Sequence, residues 1–164
     1  VVSTWFKTES DYSSTYGVLV GDYGVPGWVL RIANRGSVPN SIDITNHAGD
    51  TGPGTGQDWE TTYSDINVND GNWHHALAQI YANGDQPRLW VDGIEYTNTA
   101  NDVNGLPDTL YLSSSNVLIG RKSTDTSNYF NGSIDEVLIY NKSLTASEVQ
   151  RIYQIGLAKL RSRP

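Results

Sequence analysis

The sequence predicts an all-β fold: a two-sheet antiparallel jelly-roll β-sandwich with one short C-terminal helix. Three observations predict it. Short runs that alternate apolar and polar residues recur along the chain, separated by turn residues. The 164 residues include 16 Gly, and 10 Tyr outnumber 2 Phe, which suits many turns and half-buried amphipathic rings. Helical periodicity is confined to the region near the C-terminus, after Thr145.

Taken in order, the alternating runs place strands at 2–8, 16–22, 27–35, 40–46, 62–68, 73–82, 87–97, 117–122 and 132–140. Asn69-Asp70-Gly71-Asn72 punctuates the approach to the sixth run. Asn83-Gly84-Asp85 predicts a hairpin, because Asn-Gly accepts the positive φ that tight turns need. Asp92-Gly93 predicts another tight turn after Leu89-Trp90-Val91. Two long segments, 47–61 and 98–116, read as loops, where binding or variable regions concentrate. Thr145-Ala146-Ser147-Glu148 is a capping box that opens a helix. Val149, Ile152 and Tyr153 form its apolar stripe, and Gly156 offers a stop. One domain over 1–157 follows, with 158–164 as a basic tail or linker.

A net charge of −7 argues against nucleic acid, whose phosphates call for a basic surface. Cysteine is absent, which removes disulfides, thiol catalysis and zinc–thiolate sites. No apolar run reaches membrane-spanning length. Glycoside hydrolysis needs two carboxylates facing each other across a cleft, and no run of clustered acids offers them. Asp43 stands alone in Ser-Ile-Asp-Ile-Thr, and Asp135 and Glu136 are adjacent and diverge. His74 and His75 are also adjacent, so they point to opposite faces and read as structural rather than as a metal pair.

Asp135 raises a question of its own. Strict alternation puts Asp135, Val137 and Ile139 on one face and Ile134, Glu136, Leu138 and Tyr140 on the other. Facing Val137 and Ile139 inward turns Asp135 inward too, and an unpaired buried charge costs several kcal/mol. Three remedies are open: a cation such as Ca²⁺, backbone N–H donors from a neighbouring loop, or a basic partner such as Arg121. The same parity turns Trp90 outward with Arg88, either as a sugar-stacking ring or as a ring covered by the helix. Loop aromatics have less structural reason to exist. Trp59 beside Asp58, and Tyr129 beside Asn128, are therefore the candidate contacts for a ligand at the rim.

Several segments together resemble the laminin-G-like branch of the concanavalin A-like lectin/glucanase superfamily. They are DGNWHHALAQIYANGDQPRLWVDGIEY (70–96), NVLIGRKS (116–123) and YFNGSIDEVLIYNKSLTASEV (129–149), with STWFKTE (3–9) as an early strand. The resemblance covers about residues 2–153. It implies a jelly roll and a non-catalytic binding module for a glycan or an extracellular protein. It also implies a place among other domains of a larger extracellular or cell-surface chain. It favours calcium, with Asp135 as a ligand at the sandwich rim. Family members usually carry further N-terminal strands, so an open sheet edge is expected here. That edge supports a second reading, a structural module that assembles a surface array. A glycosidase-like enzyme is the third.

Overall fold

The computed structural model describes residues 1–22, 27–49, 58–81, 85–102, 116–122 and 128–162. Among them are strands β1 (Val2–Lys7), β2 (Tyr16–Asp22), β3 (Gly27–Arg35), β4 (Val38–Gly49), β5 (Asp58–Tyr63) and β6 (His74–Gln79). Strands β7 (Arg88–Val91), β8 (Ile94–Tyr96), β9 (Asn98–Asp102), β10 (Leu118–Ile119) and β11 (Ser133–Ile139) follow, and then helix α1 (Ala146–Arg161). They build two antiparallel sheets. One has five strands in the order β11-β1-β6-β7-β8, the other six in the order β10-β2-β3-β4-β5-β9. The predicted β-sandwich is therefore the observed fold. The hairpin expected at 83–85 and most of the loop expected at 98–116 lie outside the described residues.

The core forms where the period-2 pattern brings apolar side chains between the sheets. Val2 and Phe6 of β1, Ala76 and Ala78 of β6, and Leu89 and Val91 of β7 face Leu30, Ile32, Ile42 and Ile44 of β3 and β4. Each large buried side chain contributes about 1.5–3 kcal/mol. Some boundaries differ from the sequence reading. The run 87–97 is split into β7 and β8 by Asp92 (φ 52°) and Gly93 (φ 80°), two successive left-handed residues that reverse the chain. The fifth strand lies at Asp58–Tyr63 rather than 62–68, and β9 falls in a segment read as loop. Asn98-Thr-Ala-Asn-Asp102 has no apolar alternation. It is a strand because its backbone pairs with β5, Thr62 opposite Thr99 and Tyr63 opposite Asn98.

Helix α1 covers the outer face of the five-stranded sheet. Thr145 caps it, and both halves of the capping box form. Leu77 and Trp90 of the sheet pack with Leu144 and Val149 as a second apolar layer. The Gln79 carboxamide accepts from the Leu144 N–H at 2.8 Å and donates to its carbonyl at 2.9 Å, fixing the chain just before the cap. The helix does not stop at Gly156. It runs on to Arg161, so residues 158–161 belong to the helix rather than to a tail. Gly156 serves packing instead: a Cβ there would lie 2.2 Å from Nε1 of Trp5, whose ring stacks on Tyr153 at 5.7 Å. Gly156→Ala is therefore expected to cost about 1–3 kcal/mol by overpacking, although alanine is the better helix former. A rise in the urea midpoint would show that the helix can lift off Trp5 freely.

Strand β11 corrects the face assigned to Asp135. Trp5 lies opposite Asp135 and Phe6 opposite Ile134, but Ser3 lies opposite Leu138, so the register shifts by one residue. Glu136, at φ 47°, is the extra residue of a β-bulge. Ile134 and Val137 accordingly pack on the inter-sheet core. Asp135 shares the outer face with Trp5, because directly opposed residues point the same way. Strict alternation failed here because a bulge resets the parity. The bulge and the Lys159–Glu136 ion pair (2.9 Å) also blunt this sheet edge.

Candidate functional site

The outer face of the six-stranded sheet carries charge where a simple sandwich would carry solvated polar residues. On β3 the residues alternating with Leu30 and Ile32 are Arg31, Ala33 and Arg35. On β4 those alternating with Ile42 and Ile44 are Ser41, Asp43, Thr45 and His47. Register puts Arg31 opposite Asp43. It also puts Asp43 opposite Tyr63, Thr45 opposite Thr61 and His47 opposite Trp59.

Asp43 is fully buried and ties two arginines. Nε of Arg31 donates to Oδ1 at 2.9 Å, and Nε of Arg35 donates to Oδ2 at 2.7 Å. The Thr45 hydroxyl donates to Asp43 Oδ1 at 3.1 Å and accepts from Nη2 of Arg31 at 3.2 Å. Its one proton is thereby used, so in the 2.8 Å contact with Thr61 the Thr61 hydroxyl donates. Arg31 lies over the Tyr16 ring at 4.8 Å, and Arg35 faces the Trp59 ring at 5.7 Å. Arg35, Tyr16, Trp59 and Tyr63 are half-buried and remain reachable. Burial, and then the Arg31 charge, push the His47 imidazole down to about 4, so it is neutral at neutral pH.

Two guanidiniums thus share one carboxylate on a sheet face of a chain whose net charge is −7. Buried ion pairs stabilise little beyond what apolar residues of the same size would. A charged floor flanked by two aromatic rings, facing away from the core, has the makings of a binding site. Sequence reasoning missed it by treating Asp43 alone. The available signal was the alternation of Arg31 and Arg35 against Leu30 and Ile32, joined by the turn at Gly36 (φ 58°) to Asp43 alternating against Ile42 and Ile44.

A family model described as the concanavalin A-like lectin/glucanase superfamily matches residues 2–150. The chain belongs to that superfamily. No curated protein sequence matches it. Among solved structures it is similar to the CBM40 of a Ruminococcus gnavus IT-sialidase, at 17% identity, covering 93% of this chain and 80% of that one, with a TM-score of 0.65. The same module bound to α2,3-sialyllactose matches at 17% identity over the same shares, with a TM-score of 0.66. Bound to α2,6-sialyllactose it matches at 14% identity, 93% and 81% coverage and a TM-score of 0.63. At these identities the likeness establishes the fold.

Within this superfamily sandwich the predicted contact residues part ways. Trp59 joins the Arg31–Asp43–Arg35 cluster. Asp58 opens β5 beside it, and its side chain lies outside the described residues. Trp90 is corrected: at 2% exposure it is sealed beneath α1, so it offers no surface to a ligand. Tyr129 is 48% exposed and lies over Arg121 beside β10, at the opposite side of the sheet from β5. Asn128 is buried and accepts from the Thr15 hydroxyl at 3.2 Å, which gives it a structural task. Asp135 Oδ1 accepts the N–H of Glu136, the next residue of β11, at 2.8 Å, a bond within the strand rather than one from a neighbouring loop. Among the described residues no group of three His, Asp or Glu side chains is placed to hold a metal.

His74 and His75 divide as adjacent strand residues should. His75 sits beneath α1, with Nε2 2.8 Å from the Ser3 hydroxyl. His74 Nδ1 meets Asp92 at 2.7 Å and Nε2 meets Asp70 at 3.1 Å. Burial lowers its pKa, but the bonds to Asp92 and Asp70 outweigh that and leave it raised.

Proposed function

We propose that this chain is a non-catalytic carbohydrate-binding module of a secreted or surface protein, and that it binds an acidic glycan on the outer face of its six-stranded sheet. The observation that carries this reading is the Arg31–Asp43–Arg35 cluster set between the Tyr16 and Trp59 rings. Arg35 is the reachable cation for a sugar carboxylate, because it is half-buried and the bond to Asp43 uses its Nε. Trp59 and Tyr16 offer apolar faces to the C–H side of a pyranose ring. Arg31, Asp43 and Thr45 form the floor that holds Arg35 in place. The module in the similar structures is bound to sialyllactose, a carboxylated sugar, which supports the same ligand class.

A glycan array comparing sialylated with desialylated versions of the same chains tests this. Preference for the sialylated members is expected, with Arg35→Ala and Trp59→Ala each weakening binding by about tenfold or more, the usual range for a charge-assisted hydrogen bond or a stacked ring. Equal binding after desialylation would overturn the acidic-glycan reading, and a blank array the carbohydrate reading. The proposed site draws nothing from Asp135, so chelator is expected to leave binding unchanged. Loss of binding in chelator would put calcium back at the centre.

A further inference from the structure

A second, separate cleft opens at the sandwich rim, between the end of β1 and the start of β11. It measures about 400 Å³ and is lined by Lys7, Glu9, Ser10, Gly71, Asn131 and Ser133, with the backbone of Thr8 and Gly132 between them. That volume falls within the ~300–1,000 Å³ of small-molecule sites.

Its walls are fixed by bonds that the backbone makes with itself and with two hydroxyls. The Thr8 hydroxyl donates to the Asn131 carbonyl at 2.6 Å and accepts from the Ser10 N–H at 3.0 Å. The Gly71 N–H donates to the Thr8 carbonyl at 3.0 Å, and the Asn131 N–H donates to the Tyr12 hydroxyl at 2.7 Å. Two glycines allow the close approach. A Cβ on Gly132 would lie 2.2 Å from the Lys7 carbonyl, and one on Gly71 (φ 77°) would lie 2.8 Å from the Glu9 carboxylate. The cleft is therefore built before any ligand arrives.

The side chains of Glu9, Asn131 and Ser133 are, by contrast, unspent, while the Ser10 hydroxyl donates weakly to the Asn131 carbonyl at 3.4 Å. Lys7 lies over the Trp73 ring at 5.7 Å. Among the described residues, no hydrogen bond or ion pair engages the side chains of Glu9, Asn131 or Ser133. The lining thus offers one ammonium and one carboxylate, which cancel, together with the Asn131 amide and the Ser133 hydroxyl, which each donate and accept. An anion would meet Glu9 and a cation would meet Lys7. An apolar group would desolvate both charges without return. A neutral polyol ring fits, because each hydroxyl gives one hydrogen bond and takes another.

We infer that this rim cleft is a second saccharide subsite, for a neutral pyranose unit. It is independent of the sheet face and of the acidic-glycan reading. The test is an amide-resolved NMR titration of the full chain with the methyl β-pyranosides of glucose, galactose and N-acetylglucosamine. At least one is expected to give saturable shifts at the Ser10, Gly71 and Ser133 amides, leaving the Trp59 indole unmoved. Glu9→Ala and Ser133→Ala, both at exposed positions, are expected to weaken that binding by about tenfold and threefold, while Trp59→Ala leaves it unchanged. Absence of saturable shifts with all three sugars, or affinity unchanged in Glu9→Ala, would overturn the subsite. Loss in Trp59→Ala alone would assign the sugar to the sheet face instead.

Discussion

Asp43→Ala is expected to destabilise the protein by about 3–5 kcal/mol, the usual cost of removing one partner from a buried ion cluster. The Asp43 carboxylate is fully buried and is shared by Arg31, itself only 6% exposed, and Arg35. Removing it leaves two guanidiniums close together, and one of them cannot reach water. The Thr45 hydroxyl also loses its acceptor, so the Thr61–Thr45–Asp43 relay ends in an unsatisfied donor. Chemical denaturation of wild type and variant measures the difference. A cost below about 1 kcal/mol would mean that the arginines swing to solvent, and that the charged floor is not held as described. Asp43→Asn separates the two contributions, since an amide keeps an acceptor for Arg31 while removing the charge.

Acidification is expected to have the second large effect. Burial holds the His75 imidazole down at about 4, against an ordinary value of 6.5. Its Nδ1 is buried without a hydrogen-bond partner among the described residues, and its ring lies among Trp5 and Tyr153, so a second proton there would meet no acceptor among them. Below 6.5 the unfolded chain takes up a proton that the folded chain refuses. Stability is therefore full above about 6.5 and is lost as pH falls toward 4, by about 2 kcal/mol at pH 5 and about 3 kcal/mol at pH 4 for this one group. His47, also held at about 4, acts in the same direction. His74 acts oppositely. Its pKa is raised, so its contribution is complete below about 6.5 and fades as pH rises through its folded value. Urea midpoints across pH 4–8 should thus peak near neutrality and fall steeply on the acid side. His75→Gln should flatten the acid limb. An acid limb equally steep in that variant would place the titrating group elsewhere.

Much of the scaffold was legible because it depends on local patterns. Strand β3 was read at its observed bounds from the alternation of Val29 to Arg35, and β2 likewise from Tyr16 to Asp22. The capping box at Thr145 formed as its four residues specify. The resemblance carried by the closing segment was confirmed over residues 2–150. Of the candidate site, Trp59 was legible, because a large ring beside a glycine-rich segment needs a reason to be there.

What the sequence by itself determined is the strands with clear alternation and the capped helix, since period-2 alternation, turn residues and a cap are properties of neighbouring residues, whereas β9 has no such alternation and exists through its pairing with β5. Only the tertiary structure decided the rest. The bulge at Glu136 turned Asp135 to the outer face, because register depends on the partner strand rather than on the strand's own alternation. The helix sealed Trp90, because burial depends on what packs above a sheet face. The Arg31–Asp43–Arg35 cluster arose because β3 and β4 pair in one particular register, bringing charges 12 and 8 residues apart into contact. Such a charge cluster is a property of distance in space, which sequence spacing alone does not encode.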